Sequence, residues 1–156
     1  TSGGTGKLKL SGGIAGQMKE SIQRAFNYLR THMNDYGIGA EVDHTDFYVE
    51  AIDLLNNRQD CEIGVAMFAA CFSAIRRSPV QAGLLILGDL SIQGNIKPLR
   101  SLTEPLQVAM DNGARKALIP IENKRNFLDV SADIMERVDP VFYGDPKSGA
   151  FKALGL

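Results

Sequence analysis

The stretch EIGVAMFAACFSAIRR, residues 62–77, constrains this chain more than any other. Val65, Met67, Phe68, Phe72 and Ile75, with four alanines between them, leave almost no polar position before Arg76. A helix that is apolar on every side has to be covered on every side, so the remaining elements are expected to wrap it. Its apolar run, 64–75, falls well short of the roughly 20 residues that a bilayer-spanning helix needs. A buried central helix is the expectation, and no membrane partner.

The chain has 156 residues, enough for one domain with a sizeable core, and 1–156 is read as a single domain. With 44% hydrophobic and 22% charged residues it has the make-up of an ordinary globular protein. A formal net charge of −1 argues against a nucleic-acid grip by this segment alone. Cys61 and Cys71 are too few to staple a fold, which points to a reducing, cytoplasmic setting. The opening without methionine implies a piece of a longer protein. GGTGK, near the start, fails as a phosphate loop. No glycine stands five places before Gly6, and Leu8 replaces the Ser or Thr that would reach magnesium. It is expected to be a flexible linker into a strand.

Strand and helix signals alternate along the rest. Ile14, Met18, Ile22, Ala25, Phe26, Leu29 and Met33 predict an amphipathic helix over 14–33. TDFYVEAID turns Phe47, Val49 and Ala51 to one side and reads as a strand, followed by a loop over 56–61. AGLLILGDLSIQGNIKP reads as two strand segments with a turn near Gln93-Gly94. SLTEPLQVAMDNG is a helix with Ser101 and Glu104 spaced for a capping box and Gly113 placed to end it. KALIP and DPVFYG are strands, RNFLDVSADIMERV is one or two short helices, and AFKALGL is a last helical turn. The alternation predicts a two-layer α/β domain.

Three segments carry a family resemblance. GKLKLSGGIAGQMKESIQRAFNYLR resembles the opening of a Lon-type proteolytic domain. GDLSIQGNIKPLRSL and DNGARKALIPIENKRNFLDV are similar to that family's later glycine-rich and IP-x-EN segments, in the same order. The resemblance covers nearly the whole chain and implies the two-layer Lon proteolytic-domain fold. It also implies where a catalytic pair would stand. Members that cleave peptides use a serine in a PKDGPSAG loop and a lysine at the start of a later helix. Matching Gly64 to the last glycine of that loop puts Glu62 at the serine position and Pro105 at the lysine position.

Neither residue can do the work. The reaction needs a hydroxyl to attack the carbonyl and a neutral amine, kept so by burial, to take its proton. A carboxylate attacking an amide yields a reactive anhydride, and proline has no basic atom. Loss of a serine nucleophile alone costs on the order of a million-fold in turnover. The expectation is no catalytic residue in this domain. Cys61, one position before Glu62, is the weak candidate for rescue, with Lys97 or His44 as a neighbouring base. A side chain one position along points elsewhere, and nucleophile geometry tolerates errors of only about an ångström.

The other candidates have plainer readings. Cys71 and Ser73 fall inside the apolar helix and are expected in the core. His32 and His44 have no ligand spacing, so no metal is expected. Arg76-Arg77 and Lys124-Arg125 read as solvated helix ends, with a subunit or nucleic-acid contact as the minority reading. Glu62 reads as a buried charge at a helix start, where the dipole favours it, or as a partner for another subunit's arginine.

VEAIDLLNNR, SIQGNIKPLRSLTEPLQ and VDPVFYGDP resemble one branch of the family, the Lon-like proteins of BREX phage-exclusion systems. That resemblance implies a C-terminal fragment of an AAA+ protein with ATP and magnesium in the missing upstream module. It implies ring-shaped homo-oligomers, DNA bound through the full-length protein, and other defence-system proteins as partners. Two readings follow, a non-catalytic assembly scaffold or an ATP-dependent peptidase that uses displaced residues.

Overall fold

The computed structural model describes residues 1–52 and 61–156. The loop expected over 56–61 lies outside the described residues up to position 60, as does Asp53 at the end of the expected strand. The chain is mixed α/β, as expected.

Three strands begin it. β1 (Ser2–Gly3) and β2 (Leu8–Gly12) flank β3 (Thr45–Ala51), the first antiparallel and the second parallel to it. Leu8 pairs with Phe47 and Gly12 with Ala51 across the parallel register. Parallel neighbours need a long crossover, supplied here by α1 (Gly16–His32) and the short α2 (Gly39–Asp43). The helix predicted from residue 14 thus starts at Gly16. α2 was not expected: five residues with Val42 alone buried leave no periodic signal.

GGTGK is not a flexible linker. The backbone N–H groups of Thr5 and Lys7 both donate to Asp46 Oδ1 at 2.9 Å, which folds the turn onto β3. The glycine-rich turn does cradle an anion, and the anion is the chain's own carboxylate.

The apolar segment forms α3 (Gly64–Arg76), packed between α1 and α7 (Pro146–Leu154). Tyr28 and Tyr36 meet Phe68 at ring-centroid separations of 5.5 and 5.7 Å, and Phe72 meets Phe151 at 5.6 Å. Burial is not complete all round. Ala70 and Ala74, four apart, lie on one narrow exposed edge. Ser73 is half-buried and caps rather than fills: its hydroxyl donates to Ser78 O at 2.6 Å. Cys71 is core, and burial pushes its thiol up to about 12.

A second sheet orders β4 (Leu84–Ile86), β7 (Lys116–Pro120) and β8 (Asp139–Tyr143), all parallel. Strand alternation gives it two apolar faces. Leu84, Ile86, Leu118, Val141 and Tyr143 point toward α3 and α7. Leu85, Ala117, Ile119 and Phe142 point into a second core. That core is closed by α4 (Thr103–Asp111), α5 (Lys124–Phe127) and α6 (Ala132–Arg137) through Leu106, Phe127 and Ile134. Parallel sheets need such cover on both sides, and the continuous apolar runs LLIL and ALI are its sequence trace.

Between β4 and α4 the chain leaves this sheet and forms a hairpin, β5 (Asp89–Leu90) with β6 (Ile96–Lys97), so the two expected strand segments are three. Gly88 makes the exit, at φ +110. A Cβ there would collide with the Tyr143 hydroxyl, which donates to Leu87 O at 2.5 Å. The capping box is absent: Leu102, buried and already helical in its backbone, stands at the N-cap of α4, leaving Ser101 outside. α7 is longer than the expected last turn because Asp145 caps it, accepting from Ser148 N at 2.8 Å, with Pro146 at its first position.

Candidate functional site

α3 begins with Ile63 at its N-cap, a residue that cannot cap with its side chain. The first N–H groups of a helix have no partner within it, so they have to find acceptors elsewhere. Here the acceptors are imported. Ile63 N donates to Ser21 Oγ of α1 at 2.9 Å, Gly64 N to Asp89 Oδ1 of β5 at 3.1 Å, and Val65 N to Gly88 O at 3.4 Å. Ser21 is fully buried and works in both directions, since its hydroxyl also donates to Asp89 Oδ1 at 2.7 Å. Gly64 is glycine for a plain reason: a Cβ there would collide with the Asp89 carboxylate.

Asp89 is the centre of this arrangement. It is 2% exposed, and its second oxygen takes Arg24 Nη2 at 2.5 Å. Burial works to raise the Asp89 pKa. The hydrogen bonds from Ser21 and Arg24, the Leu90 N–H and the Arg24 charge outweigh it and hold the carboxyl below its ordinary value. A buried ion with this many partners also gains from the positive end of the α3 dipole.

Glu62 is the outer member. Its Oε1 stands 3.6 Å from both Arg24 Nη2 and Lys97 Nζ, and Lys97 Nζ is 3.7 Å from Asp89 Oδ2. These separations are charge contacts rather than hydrogen bonds. Glu20, one turn before Arg24, adds a third acid at 3.8 Å from Arg24 Nη1, so three carboxylates on α1, β5 and the approach to α3 surround Arg24 and Lys97. Glu62 does stand just before α3, but its side chain is 44% exposed and not buried, because its partners Arg24 and Lys97 meet it at the solvent edge of the cluster.

The remaining candidates fall as follows. Pro105 is half-buried at the third position of α4, inside the first turn, where the missing N–H breaks no helical bond. Proline is therefore tolerated there, and brings no base. Cys61 is exposed. Lys97 does lie beside position 62, but its side chain is 47% exposed between two carboxylates, whereas a neutral lysine base requires burial. His44 is exposed at the end of α2, and no contact of the Glu62 cluster, among the described residues, involves it. His32 stacks on Tyr28 at 4.1 Å, with Nδ1 3.1 Å from Tyr28 O. Arg76 donates to Tyr36 O at 3.2 Å and lies over the Phe72 ring, while Arg77 closes α3 in a left-handed conformation. Lys124 lies 5.9 Å from the Phe142 ring centroid.

A second polar anchor holds the far side. Asn123, from the IP-x-EN run, is 1% exposed. It accepts from Leu99 N at 2.9 Å and donates to Leu99 O at 2.8 Å, pinning the segment that leads into α4 and Pro105. The specific motif therefore has a backbone-pairing role.

A family model described as the Lon protease (S16) C-terminal proteolytic domain matches residues 1–145. The chain belongs to that family. It is 29% identical over 154 residues to the Lon-like protease BrxL of Escherichia coli O9:H4 (strain HS), covering 98% of this chain. It is 30% identical over 136 residues, 86% of this chain, to the Lon protease of Haemophilus influenzae. The Lon protease of Escherichia coli (strain K12) is 29% identical over 137 residues, 87% of the chain. The chain spans 22%, 17% and 18% of these relatives' lengths in turn. Within this Lon-type domain, the residues that sequence reading missed are Ser21, Arg24 and Asp89. A signal existed for one of them: Asp89 is a lone acid in the otherwise apolar LLILGDL.

Proposed function

We propose that this Lon-type domain is non-catalytic and serves as an assembly scaffold. The observation that carries the reading is the engagement of Glu62. By the family resemblance it holds the nucleophile position, and its carboxylate is paired with Arg24 and Lys97. The N–H of the following residue, Ile63, a natural donor toward a reacting carbonyl oxygen, is committed to Ser21 Oγ. Pro105, at the lysine position, supports the same reading. A cluster that joins α1, α3 and the β5–β6 hairpin preserves the shape of the domain and has no group left to attack a peptide bond.

The setting follows from the resemblance to the BREX branch and from the likeness to the protein named BrxL. In this proposal the full-length protein is a cytoplasmic AAA+ ATPase with ATP and magnesium upstream of this domain. It forms a ring of identical subunits, binds DNA and acts in phage defence with other proteins of its system. Mixed polar contacts between such domains are reinforced by the tether, which raises effective concentration toward about the millimolar range.

The test is incubation of the full-length protein with ATP and unfolded casein, beside sedimentation with ATP and DNA. No cleavage and a defined ring are expected. Cleavage that disappears on Cys61→Ala would establish the displaced-residue peptidase instead, and a full-length protein that stays monomeric would end the scaffold reading.

A further inference from the structure

The outer face of the first sheet carries a chemistry unrelated to the α3 cluster. β2 and β3 run parallel with Lys9 directly opposite Tyr48, and both side chains are on the solvent side. Lys9 Nζ donates to the Tyr48 hydroxyl oxygen at 3.2 Å and lies 4.9 Å from the ring centroid. Ser2, on the neighbouring β1, also acts to lower the phenol. Two adjacent strands thus place an ammonium on one exposed phenol.

We propose that Tyr48 is a lysine-assisted nucleophile, a modification site at which this sheet face captures sulfonyl-type electrophiles through its phenol oxygen. Tyr48 is 55% exposed, so an electrophile reaches it from solvent without any opening of the fold. The other tyrosines are closed to such attack. Tyr28 and Tyr36 are buried with their hydroxyls 3.1 Å apart, and Tyr143 is buried with its hydroxyl on Leu87 O. Burial raises the phenols of Tyr36 and Tyr143. Tyr48 moves the other way: the Ser2 side chain first, then the Lys9 hydrogen bond and charge, lower it. The carboxylate facing it, Asp46 on the same strand, opposes that shift and is itself held by Thr5 and Lys7.

In the reaction the phenolate oxygen forms a bond to the sulfur of a sulfonyl fluoride. The sulfur–fluorine bond breaks, fluoride leaves with its electron pair, and the phenol proton passes to solvent. Such reagents also react with the activated serine of serine peptidases. A protein with no working nucleophile at position 62 would still be labelled.

Phenylmethanesulfonyl fluoride is the probe, applied to the intact protein at neutral pH, with the adduct located by peptide mass spectrometry and its rate followed in time. The expected adduct lies on Tyr48. Its rate falls several-fold in Lys9→Met, is largely kept in Lys9→Arg, which retains a donor cation, and vanishes at that peptide in Tyr48→Phe. Lys9 is exposed, and unchanged circular dichroism shows that Lys9→Met keeps the fold. An equal rate in Lys9→Met would mean that exposure alone governs the reaction and would overturn the proposal. Labelling of Lys9 or Cys61 in preference to Tyr48 would also overturn it.

Discussion

Asp46 and Asp89, buried at 9% and 2% exposure, are anchored by opposite means. Asp46 is held by the backbone, through the N–H groups of Thr5 and Lys7, two residues apart in one turn. Asp89 is held by side chains and a helix end, through Ser21, Arg24 and Gly64 N, gathered from distant parts of the chain. The first fastens a turn to a neighbouring strand. The second is a tertiary hub. A carboxylate bound by N–H groups asks little of the side chains around it, whereas one bound by side chains fixes the identity of each partner. Hence Thr5 and Lys7 are replaceable and Ser21 and Arg24 are not, while Gly64 and Gly4 are fixed for a separate reason, the space their neighbouring carboxylates take.

The largest effect is expected at the hub. Asp89→Ala leaves the mostly buried Arg24 without its main partner and α3 without its imported cap, at a cost of about 3–5 kcal/mol. Urea unfolding measures it. If the midpoint moves no further than in Asp46→Ala, the two anchors are equivalent and the distinction fails. Gly64→Ala comes next. Its Cβ meets the Asp89 carboxylate without deleting any charge, and such overpacking costs roughly 1–3 kcal/mol. A neutral result there would mean that the Asp89 side chain can move aside, and that the cap is looser than the geometry implies.

Acid sharpens the comparison. The Lys7 and Thr5 N–H groups hold Asp46 below its ordinary value of 3.8. Asp89 is held below the same value by its hydrogen bonds and the Arg24 charge, against burial. A carboxyl depressed in the folded chain contributes stability that is present above the unfolded value and lost as the pH falls through the folded one. The urea midpoint is therefore expected to drop below about pH 3.8, and less steeply in Asp89→Asn and Asp46→Asn than in the parent. A parent whose stability is level through that window would contradict both assignments.

The same contrast explains how much was legible in the sequence. α3 was, because Val65, Met67, Phe68 and Phe72 cannot face water on any side. β4 and β7 were legible as strands, because LLIL and ALI are continuous apolar runs between turns. Asn123 was legible as a motif, though its pairing with Leu99 was not. Ser21, Arg24 and Asp89 escaped because their meeting is a tertiary event. Ser21 and Asp89 are 68 positions apart, and no local pattern reports such a contact. The Ser101 capping box failed for the converse reason: the local signal was there, and the burial of Leu102 overrode it. α2 escaped through shortness, and the Asp46 turn because glycine and threonine spacing alone does not reveal which anion the turn holds.

The smallest expected effect bears on the central proposal, that Glu62, which the family resemblance puts at the nucleophile position, is an outer ion pair around a structural hub. Double-mutant cycles on urea stability decide it, with Arg24→Met combined in turn with Asp89→Asn and Glu62→Gln. The Glu62 side chain is 44% exposed and 3.6 Å from Arg24, so its coupling is expected to be below about 1 kcal/mol. The coupling of Arg24 with Asp89 is expected to exceed it clearly, at roughly 2 kcal/mol or more. A coupling of Arg24 to Glu62 equal to or larger than that to Asp89 would contradict the account, because Glu62 would then be the residue around which the site is built.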